Sequence, residues 1–560
     1  MKNKTLAHDS NIEPNDEADT LVRIKIYQSS ELVDNNYDET LPRQVIVHDE
    51  KENNNDSSFS TRAFRGIIIQ SVGRFYGYAA VALGLYFRLS IFSRSVYGDY
   101  GIVFAYLSFF SVFADAGIMF ITVREASRFP EQIKRILSTT FTLKTFFALA
   151  SYGSGGILLI FTPYSSTVKL AIVVAGLSMM LVSICGAFDV VFQSRLRFVY
   201  PTLADISLKN VVFIGTVILF VFARFSAQSE YEQILLFYLM IGINVLANMV
   251  MAAIYFYGGY KEVHLSLSFD WSYCKSLLTL SLPMGVIGIL SQIHLKADAI
   301  LLSILKDSSE FAVYNLAYRV IDIIFIFFGV FANIMFPVLA RFSEQDKLKY
   351  QNTVNRILNS SITLCFPIAV GVSLMSHEIV TILGGSKYPQ AALPLSILAF
   401  SMIPSFLNLI YSYIVIVQNR QNNLIWATVV IIVANISLNL YAIPRYSYIG
   451  SAVAEVTTET IGVLLVISIV NRYHYALPST STIVKTIIGC ITMVIAVLLL
   501  KIWIPTYFIS LNITLAAIIE ASIYGITAFG LYAVVLYSLE GIDSAIIDRI
   551  TRLISQKAPQ

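Results

Sequence analysis

Residues 67–92, IIIQSVGRFYGYAAVALGLYFRLSIF, and residues 101–122, GIVFAYLSFFSVFADAGIMFIT, are two apolar runs with charges inside them, and those charges decide how the chain is read. At about 1.5 Å of rise per residue the first run is long enough to cross roughly 30 Å of hydrocarbon. Arg74 sits roughly two turns inside it and Arg88 near its far end. Successive helical residues turn by about 100°, which returns Arg88 to within about 40° of Arg74, on one face of the helix. An arginine within a bilayer costs about 2.5 kcal/mol or more, so this face is expected to line a bundle interior or a wet cavity. Gly73, Gly77 and Gly84 nearly share it, which makes close helix packing a competing use of the same surface. Ser93–Tyr100 is predicted to be a loop that turns the chain through Tyr97-Gly98-Asp99-Tyr100-Gly101. The second run carries Asp115 and leaves through Arg124-Glu125-Ala126-Ser127-Arg128.

Composition extends this reading to the whole chain. Of 560 residues 56% are hydrophobic and 13% charged, with mean hydropathy +0.69, whereas soluble domains carry about 25% charged residues. A polytopic membrane protein is predicted. The net charge of +3 is explained by cytoplasmic loops, and nucleic-acid binding is not expected. Cys185, Cys274, Cys365 and Cys490 have no metal or redox spacing, and the histidines form no ligand motif, so neither a metal nor a cofactor is predicted. Residues 1–63 are polar, acidic and Asn-rich with no apolar core after a basic start. A disordered cytoplasmic tail without a cleavable signal peptide is expected there.

About fourteen spans are predicted, near 67–92, 101–122, 139–161, 168–190, 206–224, 232–258, 277–304, 311–338, 357–383, 391–417, 424–443, 447–470, 483–504 and 508–537. Lys and Arg concentrate in alternate connections, which places both termini in the cytoplasm of a plasma-membrane protein. The connections are short, and none has room for a catalytic domain. Ser266–Lys275 and the stripe Ile542, Ile546, Ile547, Ile550, Leu553 and Ile554 read as amphipathic segments on the membrane surface. Val112-Phe113-Ala114-Asp115 with Ile118-Met119-Phe120 recurs as Val330-Phe331-Ala332-Asn333-Ile334-Met335-Phe336, and Tyr100 and Tyr314 open the two spans. The repeat predicts an all-α fold of two six-helix bundles, 64–258 and 277–472, around a central cavity. A linker, 259–276, joins them, and a helix pair, 483–538, precedes a tail, 539–560.

Leu85-Tyr86-Phe87-Arg88, Tyr97-Gly98-Asp99-Tyr100-Gly101 and Arg124-Glu125 resemble the opening of the polysaccharide transporter, or oligosaccharide flippase (Wzx-like), family of the multidrug/oligosaccharidyl-lipid/polysaccharide exporter superfamily. Ser281-Leu282-Pro283, Asp298, Gly384-Gly385-Ser386-Lys387-Tyr388 and Gly450-Ser451-Ala452-Val453-Ala454 with Glu459 are similar to that family too. The likeness covers about 64–540 and leaves the acidic tail outside it. It implies a flippase, not an enzyme, that moves a polyprenyl-phosphate- or pyrophosphate-linked oligosaccharide between leaflets, among membrane lipids and alongside glycan-assembly enzymes. A multidrug or metabolite exporter of the same superfamily is the nearest alternative. A membrane glycosyltransferase or polymerase is the alternative of another class.

Arg74, Arg88, Lys296 and Arg319 are the candidate contacts to an anionic head group, because a guanidinium pairs bidentately with phosphate oxygens. Snorkelling accounts equally for Arg88, and mutual neutralisation with Asp322 for Arg319. Glu455, Glu459, Asp298 and Asp115 are the candidates for coupling to H⁺ or Na⁺. Glu455 and Glu459 stand one turn apart, and two carboxylates on one face in low dielectric tend to share a proton. No Walker A motif is present, so ATP is not expected to drive the cycle directly.

Overall fold

The computed structural model describes residues 73, 76–77, 79–115, 117–195, 197–224, 229–263, 270–345, 347–418, 420, 422–472, 477–503 and 513–539. Arg74, the tail 1–63 and the amphipathic stripe of 542–554 lie outside the described residues. Among the described residues sixteen α-helices carry the fold: α1 (Ala79–Ile91), α2 (Arg94–Asp115), α3 (Ile118–Arg128), α4 (Ile133–Leu158), α5 (Ser166–Cys185), α6 (Asp189–Ser194), α7 (Val199–Ala223), α8 (Glu230–Glu262), α9 (Trp271–Leu305), α10 (Ser308–Gln345), α11 (Lys347–Leu374), α12 (Ser376–Gly384), α13 (Ala392–Val417), α14 (Asn422–Asn471), α15 (Thr480–Trp503) and α16 (Ile513–Ser538).

Among the described residues, twelve candidate spans are long and apolar enough to cross a membrane. The chain is an all-α, multi-pass membrane protein. The expected fourteen differ from twelve at two places. The first is α1, a shorter apolar helix over Ala79–Ile91. The second is α14, which counts once in the twelve but turns back at Ser447, where φ is 50°, so that its two arms keep the expected spans 424–443 and 447–470. Ser451 then donates to Asn439, and Asn435 donates to Glu455 and Thr458, so the two arms run antiparallel.

Three local expectations are corrected. The predicted loop Ser93–Tyr100 shrinks to Phe92 and Ser93, because α2 begins at Arg94. The run 101–122 is not one span: Gly117, at φ 70°, adopts a left-handed conformation that ends α2 and starts α3. The amphipathic segment ending at Lys275 is, from Trp271 onward, the first turn of α9, capped by the Asp270 carboxylate on the Tyr273 N–H at 3.1 Å. Residues 264–269 lie outside the described residues.

Packing brings α2 against α4, α5, α9 and α10, so this helix joins the part of the bundle before residue 262 to the part after 271. The glycines of the first helix are used for packing. A Cβ on Gly73 would meet Thr202 and Ile206, one on Gly77 would meet Lys209, and one on Gly84 approaches Phe213, all on α7. The extra pair, α15 and α16, rests on α11 and α12. Lys501 fastens it, with Nζ 2.9 Å from Glu378 and 2.7 Å from the Leu374 carbonyl.

Candidate functional site

A cavity of about 270 Å³ opens between α1, α2 and α10, lined by Arg88, Tyr97, Tyr100, Asn315, Arg319 and Asp322 among apolar side chains. Arg88 reaches it from near the end of α1. Its Nη1 donates to the Tyr100 hydroxyl at 3.3 Å, and the guanidinium lies 5.7 Å from the Tyr100 ring centroid. Nε of Arg88 is buried with no hydrogen-bond partner among the described residues. Asn244 from α8 donates to the same tyrosine hydroxyl at 3.3 Å, which fixes the ring that Arg88 leans on. Across the cavity Arg319 pairs with Asp322 one turn along α10 at 3.6 Å. The site therefore holds two cations against one carboxylate, and Arg88 keeps one buried donor without a partner among the described residues; this suits a small, multiply charged anion.

Of the four proposed anion contacts the structure brings Arg88 and Arg319 together. Lys296 stands apart, its Nζ 5.8 Å from the Tyr318 ring centroid, and does not line this cavity. Arg74 lies outside the described residues.

Three of the four acidic candidates meet elsewhere, between α9, α10 and α14. Glu459 accepts from, or shares a proton with, His294 Nε2 at 3.0 Å, and Asp298 accepts from the Tyr314 hydroxyl. Glu455 accepts from Asn435 Nδ2 at 3.3 Å. Asn439, Ser451 and Thr458 continue the network. All three carboxylates are buried, and none lines the Arg88 cavity. Such a cluster can take up or release a cation or proton without exposing it to lipid. The fourth, Asp115, is in a different place: it ends α2 and pairs with buried Lys144 of α4 at 2.8 Å.

Sequence reasoning passed over Lys144 and Lys209, two further cations inside spans. Each is held by a carboxylate, Lys209 by Asp205 at 2.7 Å. For Lys209 the i, i+4 spacing was a usable signal. The partner of Lys144 lies 29 positions away in sequence, on another helix, and carries no local signal.

At the end of the bundle that carries Ser308 and Lys387, the two parts meet closely. A Cβ on Gly98 would overlap the Ser308 carbonyl, and the Ser308 hydroxyl donates to Asp99. Arg94 Nη2 donates to the Lys387 carbonyl at 2.7 Å, and Lys387 Nζ returns to the Ser90 carbonyl at 2.7 Å. At the opposite end Arg135 pairs with Asp270 and sits 4.7 Å from the Tyr273 ring centroid. The Tyr273 N–H and then Arg135 hold the Asp270 carboxyl below the usual carboxylate range.

The family model described as "Polysaccharide biosynthesis protein" matches residues 90–393, more than half of the chain. The chain is 26% identical over 227 residues to a probable low-salt glycan biosynthesis flippase, Agl15, of Haloferax volcanii, a match covering 40% of this chain and 47% of that protein. It is 26% identical over 180 residues to a probable flippase, AglR, of the same organism, covering 30% and 36%. These matches thus span about half or less of each relative's length. In three dimensions the chain is similar to the lipid II flippase MurJ in an inward closed conformation, with TM-score 0.60 and 16% identity over 82% of this chain and 98% of that one. It is also similar to an inward-facing multidrug resistance MATE family transporter, with TM-score 0.57 and 11% identity over 73% and 100%. At these identities the likeness is one of fold.

Proposed function

The chain belongs to the polysaccharide biosynthesis family of membrane flippases, transporters rather than enzymes, and on that premise we propose that it carries an oligosaccharide linked to polyprenyl phosphate or pyrophosphate from the inner to the outer leaflet. The observation that carries this is the pairing of Arg88 and Arg319 in one cavity, with the Arg88 Nε unused. A phosphate cannot cross hydrocarbon unescorted. Two guanidiniums lining one cavity from α1 and α10 supply the escort, while the hydrocarbon tail stays in lipid. The Lys and Arg excess supports a cytoplasmic Asp270 end and an outer Lys387 end, with both termini cytoplasmic. Rocking of 64–258 against 277–472 then exposes the cavity to one side and the other in turn.

Coupling belongs to the cluster of His294, Asp298, Glu455 and Glu459, which touches the cavity wall through α10 and stays out of the cavity itself. This separation favours a lipid-phosphate flippase over an exporter of cationic drugs, whose carboxylates would face the substrate. The test is depletion of the protein in its own cells. A lipid-linked glycan should accumulate on the cytoplasmic leaflet, and unchanged leaflet distribution of lipid-linked glycans would reject the reading.

A further inference from the structure

Four cations within or beside the spans have a carboxylate: buried Lys144 has Asp115, Lys209 has Asp205, Arg319 has Asp322 and Lys501 has Glu378. Arg88, Arg94 and Lys387 form no ion pair among the described residues. Arg94 gives its guanidinium to one carbonyl, that of Lys387. Lys387 gives its ammonium to the carbonyls of Ser90, at 2.7 Å, and Phe92, at 3.4 Å. Both exchanges cross the seam between the two parts of the bundle.

These cations are also joined physically to the cavity. Tyr97 lines the cavity with Arg88, and its ring meets the ring of Tyr388 edge-on at 5.9 Å. Arg94 lies 6.0 Å from the Tyr388 ring centroid. Tyr388 is wholly buried, and its hydroxyl has no partner among the described residues. The contacts therefore run from Arg88 in the cavity through Tyr97 and Tyr388 to Arg94 and Lys387, with no carboxylate among the described residues bonded to any of the three cations.

We propose that Arg94 and Lys387 serve twice: they latch the outer mouth when it is closed, and they receive the phosphate or pyrophosphate head group when it opens. This rests on the anionic substrate proposed above. In the closed mouth each cation spends its charge on backbone carbonyls of the opposite part. Parting the two parts at Gly98 and Ser308 breaks those bonds and leaves two cations without carboxylate partners where the head group leaves. Burial pushes the Lys387 ammonium below its ordinary range, and hydration on opening relieves that desolvation as the anion arrives. The Tyr388 hydroxyl, without a partner among the described residues, adds a donor beside them.

The experiment uses the full chain in proteoliposomes with Asn315→Cys in the cavity and a charged, membrane-impermeant thiol reagent outside, the four native cysteines being buried. Arg94→Gln with Lys387→Gln should raise the labelling rate about tenfold, because the latch is gone. To separate the latch from the receiving site, the same pair is placed in Gly98→Val, which opens the mouth by crowding alone. Inorganic pyrophosphate outside should slow labelling of Gly98→Val at least fivefold and should lose that effect when both cations are removed. Lys387→Arg should restore it, a rescue that a misfolded variant cannot give. Protection that survives removal of both cations, or labelling unchanged by their removal, overturns the inference. If pyrophosphate protects from the inner side through Arg88 but never through Arg94 and Lys387, this inference alone fails. If it protects from neither side, the anionic substrate itself is wrong.

Discussion

Arg88 keeps a free Nε in a buried position, and a donor left unpaired in low dielectric is costly, about 1–3 kcal/mol or more for a charged group. A protein retains such a group where a ligand completes it. Glu459 differs, since His294 already holds it. Glu459→Gln keeps the shape and removes the charge, so translocation should lose its dependence on an imposed H⁺ or Na⁺ gradient while exchange between leaflets continues. Transport that stays equally sensitive to the gradient in Glu459→Gln removes this residue from coupling. If the variant matches the parent with the membrane potential alone as drive, worth about 2.3 kcal/mol per charge per 100 mV, the potential moves the pyrophosphate outward unaided. At this scale much of the site was legible. Arg88, Arg319, Asp298, Glu455 and Glu459 stand out because each is a charge in an apolar run. Which charges meet was not legible: Arg88 and Arg319 are on different helices, and Asp115 is neutralised by Lys144, a contact no local pattern announces.

Helices were read well where apolar length decides, and less well where a contact between distant residues decides. The Tyr97–Gly101 motif looks like a turn by its glycines and its aspartate. It is helical because Gly98 and Gly101 let α2 lie directly on the start of α10, against Ser308, Phe311 and Asn315. The same fact makes Gly98 a lever on the closed mouth. Gly98→Val overpacks this contact by about 1–3 kcal/mol, which shifts the balance toward an open outer mouth roughly 5- to 150-fold. Distances between spin labels placed on the starts of α2 and α10 should lengthen in the variant. An unchanged distance distribution would show that this contact does not hold the mouth closed. The Ser447 reversal was easier to anticipate, since Tyr446-Ser447 with Gly450 separates two apolar runs.

At the scale of the whole molecule, one packed helix lies between the two groups of candidate residues. The Arg88 cavity opens on α1, α2 and α10, and the acidic cluster lies between α9, α10 and α14. Helix α10 carries Tyr314 toward the cluster and Arg319 toward the cavity, so occupancy of one can be felt at the other as movement of a single rod. The family likeness and the bundle were accessible from hydropathy and motifs. The seam between the parts was not, because it is written in contacts such as Arg94 with Lys387, 293 positions apart. The central claim is that paired guanidiniums carry a phosphate-linked glycan across. The direct measurement is translocation of a polyprenyl-pyrophosphate-linked oligosaccharide in proteoliposomes containing only this protein. The parent should move it, and Arg88→Ala with Arg319→Ala should be slower by at least about tenfold, as loss of charged hydrogen bonds worth about 1.5–3 kcal/mol each requires. Equal rates in the parent and the double variant would contradict the account.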